Sequence, residues 1–256
     1  MYLALAAPGM PLYAHMQPVR HRGAAKAWPF PGKLAGSQAH TSLPSLGRQR
    51  LRPGAVITDS HTHIPRPQAI VNRAPDALEQ PGMLYSVGVH PWDADTCNSG
   101  ALEDAVSSRQ TVAVGETGLD SLRGPDIATQ TRVFLLHAEL AEKYRKPLII
   151  HCVKQLDAIL ALRRRLNPSQ PWIMHGFRGK PQQAVQLLRA GFYISLGSRF
   201  NPDTARIIPL NRLLIETDDA DTSIQEVAAA VASARGVSAT EITESTAANW
   251  RSLLQK

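Results

Sequence analysis

From residue 56 onward the chain alternates short apolar runs with longer stretches of helical spacing. The runs fall at 56–58, 83–89, 111–115, 147–150, 172–174, 192–196 and 213–215, and a shorter one at 69–72 offers an eighth. Between them, 101–109, 126–145, 154–166, 180–190 and 223–234 carry apolar residues three and four apart with few breakers, as a helix with one buried face requires. Stop signals sharpen two of these helices. Lys146-Pro147 ends the longest, with Lys143 and Arg145 in its last turn against the helix dipole, and Gly191 follows Ala190 where a left-handed residue closes a helix. Strand and helix in alternation predict βα units around a parallel sheet.

Residues able to hold a metal follow those runs. The β-branched stretch Val56-Ile-Thr-Asp-Ser-His-Thr-His63 ends in His-x-His, and because strand side chains alternate, His61 and His63 share a face and can grip one ion. Glu116, His151, His175 and Asp218 each sit just after an apolar run of their own. One histidine behind a strand is usually structural; six donors in succession at strand ends are not what a bland core produces. An open sheet would spread them along a line, about 4.8 Å per strand, whereas closure gathers strand ends around one mouth. The predicted fold is therefore a TIM-type (β/α) barrel. A terminal helix, about 239–254, is expected to pack Ile242, Trp250, Leu253 and Leu254 on its wall.

The ordered motifs Asp59-Ser-His-Thr-His63, Gly88-Val-His-Pro-Trp92, Val114-Gly-Glu-Thr-Gly-Leu-Asp120, Ile150-His151, His175-Gly-Phe-Arg-Gly179 and Glu216-Thr-Asp218 resemble the TatD family of metal-dependent deoxyribonucleases, within the amidohydrolase-like barrels. The resemblance covers about residues 54–256. It implies two divalent metal ions, with Glu116 bridging them, His61, His63 and Asp218 completing one site, and His151 and His175 the other. Mixed imidazole and carboxylate donors suit Zn²⁺ or Mn²⁺, with Mg²⁺ open where carboxylate and water dominate. The implied reaction is hydrolysis of DNA phosphodiester bonds, exonuclease-like, by a metal-activated hydroxide. Asp218 is then the candidate general base. The resemblance also sets His90 on the substrate side.

Other residues take secondary roles. Arg178 ranks first as a phosphate contact, ahead of Lys180 and Arg199. Asp59 and Glu216 are expected either to orient an imidazole or to make a buried hydrogen bond. Trp92 and Phe177 stand beside motif residues where a base can stack. Cys152 reads as a small buried hydrophobe, and the basic runs 143–146 and 163–165 as solvated helix ends.

Charge divides the chain. The net +7 comes entirely from residues 1–58, which hold seven Lys and Arg and no acid; removing them leaves 21 basic residues against 21 acidic. Residues 1–53 also carry seven of the 19 prolines, a composition expected to be disordered and to mark a dispensable or misassigned leader, a nucleic-acid-binding arm, or a targeting segment. No apolar stretch approaches the roughly 20 residues a spanning helix needs. Two cysteines without Cys-x-x-Cys spacing suggest neither a disulfide scaffold nor a thiolate zinc site, and fit a reducing cytoplasm. The expected partner is DNA as substrate, with neither membrane nor obligate protein partner indicated.

One departure stands out. Only 27 positions separate His63 from His90, too few for two complete βα units with ordinary helices, so one unit after the first strand is expected to be shortened or missing and the barrel to have seven or eight strands. Competing readings are a related barrel hydrolase for amide, lactone or aminoacyl ester bonds, and a catalytically silent nucleic-acid-binding module.

Overall fold

In the computed structural model, residues 56–77 and 79–255 are described; the expectations for residues 1–53 fall outside them. Eight strands pair in chain order, and every neighbouring pair is parallel. They are β1 (Asp59–Thr62), β2 (Ala69–Arg73), β3 (Leu84–Val87), β4 (Thr111–Asp120), β5 (Leu148–Val153), β6 (Trp172–Met174), β7 (Tyr193–Leu196) and β8 (Leu213–Ile215). Closure runs through the residues just past β8. The Asp218 N–H donates to the His61 carbonyl at 2.9 Å and the His63 N–H to the Asp218 carbonyl at 3.2 Å, making a parallel bridge between Thr62 and Asp218. The seam of the barrel is thus fastened at three of the candidate ligands.

The 69–72 run is a strand, which sets the count at eight. The six residues 63–68 join β1 to β2 and the ten residues 74–83 join β2 to β3, with no helix among the described residues of either connection. Parallel neighbours usually need a crossover of a dozen or more residues. Here Gln68, at φ +61°, turns the chain sharply, and its carbonyl accepts from the Thr58 and Asp59 N–H groups at 2.9 and 3.3 Å.

Helices α1 (Ser99–Ser107), α2 (Ile127–Tyr144), α3 (Leu156–Leu166), α4 (Pro181–Arg189), α6 (Ile224–Arg235) and α7 (Ala239–Leu253) fall on the expected stretches, and a short α5 (Pro202–Ile207) was not foreseen. Asn201 caps α5 by accepting from Asp203 N at 2.9 Å, with Pro202 at the first helical position. Gly191 sits at φ +83° just past α4, as a left-handed closing residue should.

The lower barrel is filled by Ile57, Ile70, Val112, Ile149, Ile173 and Leu214 from six strands or their lead-ins, and Trp250 and Leu253 of α7 join the same cluster. Each fully buried side chain of this size contributes about 1.5–3 kcal/mol. The Trp250 indole N–H donates to Ser60 Oγ at 2.9 Å, so α7 is fixed to β1 by a satisfied polar contact as well as by burial.

Two basic groups expected to be solvated are not. The Arg163 guanidinium lies over Trp172 and Phe192, 5.3 and 5.8 Å from their ring centroids, and its Nε donates to the Ala190 carbonyl at 3.2 Å. Lys146 is buried, donating to the Val106 carbonyl and, at 3.0 Å, to that of Ser108. Both act as ties between helix ends and neighbouring loops.

Candidate metal centre

The donors divide evenly: His61 lies inside β1, Glu116 inside β4 and His151 inside β5, whereas His63, His175 and Asp218 follow β1, β6 and β8. Polar residues can extend these strands because the backbone pairs on both sides and the side chains meet partners in the mouth. β4 bends close to its neighbours there. A Cβ on Gly118 would lie 1.9 Å from the His151 carbonyl oxygen, so the second glycine of the Gly-Glu-Thr-Gly motif is what lets β4 approach β5.

Glu116 is buried at the centre, and its two carboxylate oxygens face different donors. Oε2 lies 3.3 Å from His61 Nε2 and 3.6 Å from His63 Nε2, and both rings also lie 3.5 Å from Asp218 Oδ1. Oε1 lies 2.9 Å from His151 Nδ1, 2.7 Å from His175 Nε2 and 3.4 Å from His90 Nε2. All six sequence-predicted donors therefore converge. His90, expected on the substrate side, stands as close to Glu116 as the strand-one histidines do, and with Glu116 and His151 it forms one of four overlapping groups able to hold an ion among the described residues.

The donor set fits divalent metal. Both ring nitrogens of fully buried His61 lack a hydrogen-bond partner, although Nε2 has two carboxylate oxygens near it at longer range. An imidazole nitrogen left in this way, facing carboxylates, is poised for a cation.

Charge in the cluster is strongly coupled. Contacts with Asp218 and Glu116 draw a proton onto His63, whose pKa is pushed up to about 9 despite partial burial. Burial and His175 work against a proton on His61, yet the same two carboxylates raise it. Burial likewise opposes charge on His175, but the Glu116 and Glu216 carboxylates prevail and hold it well above the usual range. In return, although burial opposes ionisation of Glu116 and Asp218, the surrounding imidazoles hold both carboxyls below their ordinary values.

Second contacts fix the donors. Glu216 Oε1 lies 3.3 Å from His175 Nδ1 and accepts from the Gly176 N–H at 2.5 Å. Asp59 instead accepts from the Thr217 N–H and hydroxyl at 3.1 and 2.7 Å, tying β1 to the segment before Asp218; burial pushes its carboxyl up to about 6. Asp120 Oδ2 accepts from the Trp92 indole at 2.7 Å and lies 3.4 Å from His151 Nε2.

Three positioning residues escaped the sequence reading. Asn72 of β2 accepts from the Glu116 N–H at 2.8 Å and from the Ser86 hydroxyl at 3.1 Å. His137 of α2 accepts from the Val89 N–H at 2.9 Å, immediately before His90. Gln130 accepts from the Asp120 N–H at 2.7 Å and donates to the carbonyls of Asp120, Arg123 and Pro125. The Gln and His stand on the otherwise apolar inner face of α2, which is the one signal that marks them.

A cleft of about 1450 Å³ opens onto the cluster, with Arg178 and Arg199 on its wall beside Asp218. Phe177 is buried and offers no face for stacking, whereas Trp92 is 41% exposed. Burial pushes the Cys152 thiol up to about 11, away from nucleophilic chemistry.

The profile of the family described as TatD related DNase matches residues 56–255. An uncharacterized metal-dependent hydrolase, YcfH, of Escherichia coli strain K12 is 29% identical over 203 residues, 68% of this chain and 75% of that protein. A protein named 3′-5′ ssDNA/RNA exonuclease TatD, from Cronobacter turicensis, is 32% identical over 157 residues, 54% of this chain and 57% of its own. Among solved structures, the crystal structure of YjjV, a TatD homologue from Escherichia coli K12, matches with a TM-score of 0.60 at 27% identity, covering 66% of this chain and 76% of that one. A profile match that runs the length of the barrel, and through every motif around the donor cluster, means that this chain belongs to the TatD related DNase family.

Proposed function

We propose that this chain is a metal-dependent hydrolase that cleaves phosphodiester bonds of single-stranded DNA from an end. The observation that carries the reading is the division of labour at Glu116: one carboxylate oxygen faces His61 and His63, beside Asp218, and the other faces His151 and His175. Two donor groups that share one buried carboxylate suit a pair of Zn²⁺ or Mn²⁺ ions. Such ions supply positive charge beside phosphoryl oxygens and acidify water.

The protein's own groups divide the remaining work. Glu116 is almost wholly shielded, while the Asp218 side chain keeps 23% of its surface, so Asp218 is the carboxylate that can meet the attacking water and take its proton. Arg178 and Arg199, exposed on the cleft wall, bind phosphates of the strand. His90 directs Nε2 toward the same oxygen of Glu116 as His151, where it contacts the phosphate being cleaved. The exonuclease named among the relatives supports nucleic acid as the substrate class.

The test incubates purified protein, chelated or loaded with Mn²⁺ or Zn²⁺, with single-stranded DNA, duplex DNA and a panel of esters and lactones. Expected is metal-dependent release of nucleotides, reduced about 10²–10⁴-fold in Asp218→Asn and abolished in Glu116→Ala. Turnover of carbonyl substrates alone overturns the phosphodiester assignment.

A further inference from the structure

Among the described residues, three large apolar side chains are exposed: Ile64, Trp92 and Leu122, at 42%, 41% and 61%. Ile64 and Leu122 lie on the segments leaving β1 and β4, and Trp92 lies in a short 3-10 helix, Pro91–Thr96, that follows β3. Of the three, Trp92 lines the cleft that opens onto the donor cluster, and a water-facing aromatic there suggests a ligand with an apolar face.

Trp92 is exposed yet held. Its indole N–H is fixed by Asp120 Oδ2, and Asp120 Oδ1 accepts from the Leu122 N–H at 2.8 Å. The loop carrying Asp120 and Arg123 is pinned in turn by Gln130. Gly124, at φ +85°, lets that loop lie directly on the Trp92 backbone, since a Cβ there would stand 2.7 Å from the Pro91 carbonyl oxygen and 2.8 Å from Trp92 Cα. The Arg123 guanidinium lies 4.7 Å from the indole centroid, and His90 packs edge-on at 4.4 Å. Arg123 and Trp92 line the same cleft as the donor cluster. A ring immobilised this thoroughly loses little entropy when a ligand settles on it, which is what distinguishes a binding platform from an incidental surface aromatic.

We infer that Trp92, backed by Arg123, is a stacking subsite for the nucleobase of the nucleotide adjoining the phosphate that is cleaved. The inference rests on the phosphodiester reading and extends it from the reacting group to the base beside it. The indole supplies a π face that accepts any base, and the guanidinium adds cation–π attraction and charge toward the backbone. Because His90 touches both Trp92 and, through its other ring edge, the Glu116 side of the centre, a base seated on the indole brings its phosphate to the reacting groups.

The test uses the full chain loaded with Mn²⁺. Wild type, Trp92→Ala and Trp92→Phe are compared on short single-stranded oligonucleotides that are either intact or abasic at the terminal positions. For intact strands, Trp92→Ala is expected to raise KM roughly tenfold or more with a smaller change in kcat. Trp92→Phe, which keeps a ring but loses the bond to Asp120, should recover most of that KM. Abasic strands should distinguish the variants little. Independently of turnover, and with both proteins carrying Trp28→Phe so that Trp92, Trp172 and Trp250 are the remaining candidates, an intact strand added to chelated protein should quench indole emission when Trp92 is present and not in Trp92→Phe, because Trp172 and Trp250 are fully buried. Equal KM changes on intact and abasic strands overturn the subsite and leave Trp92 a prop for Asp120 and His151, with the nuclease reading intact. Failure of wild type to cleave either strand while it turns over esters overturns both.

Discussion

His137 illustrates how a residue without a motif can govern one that has it. It is fully buried, its Nδ1 meets the Val133 carbonyl at 2.8 Å and its Nε2 accepts from Val89 N, so the ring must be neutral with its proton on Nδ1. Burial is the main cause of a pKa pushed down from 6.5 to about 4. The folded state therefore holds fewer protons than the unfolded state between those values, and stability rises with pH across the window. The contribution, on the order of 3 kcal/mol, is fully present above pH 6.5 and is lost as pH falls toward 4. His137→Gln keeps an acceptor for Val89 N–H without titrating. Urea midpoints of the chelated proteins should converge as pH drops from 7 to 4, the wild type losing more. Parallel curves would show that His137 does not carry this dependence. His61, His63, Glu116, His151, His175 and Asp218 were legible in the sequence because each trails an apolar run at a strand. His137 and Asn72 were not, since what they hold lies 48 and 44 residues away in sequence and no local spacing records a tertiary hydrogen bond.

The same distinction holds for elements. Strand positions could be read from apolar runs, but the strands extend past those runs into polar sequence, as in Asp59–Thr62, because neighbouring backbones and the buried mouth complete their bonding. β2 was legible only as an option: four residues before Arg73-Ala-Pro75 carry too little pattern, and pairing on both edges decides it. Arg163 and Lys146 announce charge in sequence, and only the neighbouring carbonyls turn that charge inward. The β4–α2 loop depends on one such tertiary contact. Gln130, buried within α2, satisfies four backbone groups of residues 120, 123 and 125. Gln130→Leu leaves those groups without their partner, the two at Asp120 in buried surroundings, a loss of about 1–3 kcal/mol. For a barrel of this size that lowers Tm by about 3–10 °C, and it should also loosen Trp92, seen in a Trp28→Phe background as a red shift of its indole emission. A Tm within 1 °C of wild type by calorimetry would mean that the loop is set by Gly124 and Asp120 alone.

For the molecule as a whole, the donor cluster is both the seam of the barrel and its greatest concentration of buried charge. Glu116, Glu216, Asp59 and Asp120 are buried around it, and without metal the neighbouring carboxylates favour the protonated forms of His63, His61 and His175. A divalent ion does the same work more completely, since it binds imidazole nitrogen and carboxylate oxygen together, and to do so it must displace those protons. Metal uptake is therefore predicted to release about one or more protons per ion near neutral pH, and apparent affinity to climb with pH through the range in which the imidazoles titrate, up to about 9 for His63. Because Asp218 and His61 also fasten β8 to β1 through their backbones, the gain extends to the fold: metal at 100 times its Kd adds about 2.7 kcal/mol, and chelation removes it. Calorimetric titration of Zn²⁺ or Mn²⁺ in two buffers of different ionisation enthalpy counts the protons, and thermal melts with and without chelator measure the coupling. Heats that are independent of buffer, together with a melt unmoved by metal, would mean that the cations meet groups other than these histidines and carboxylates.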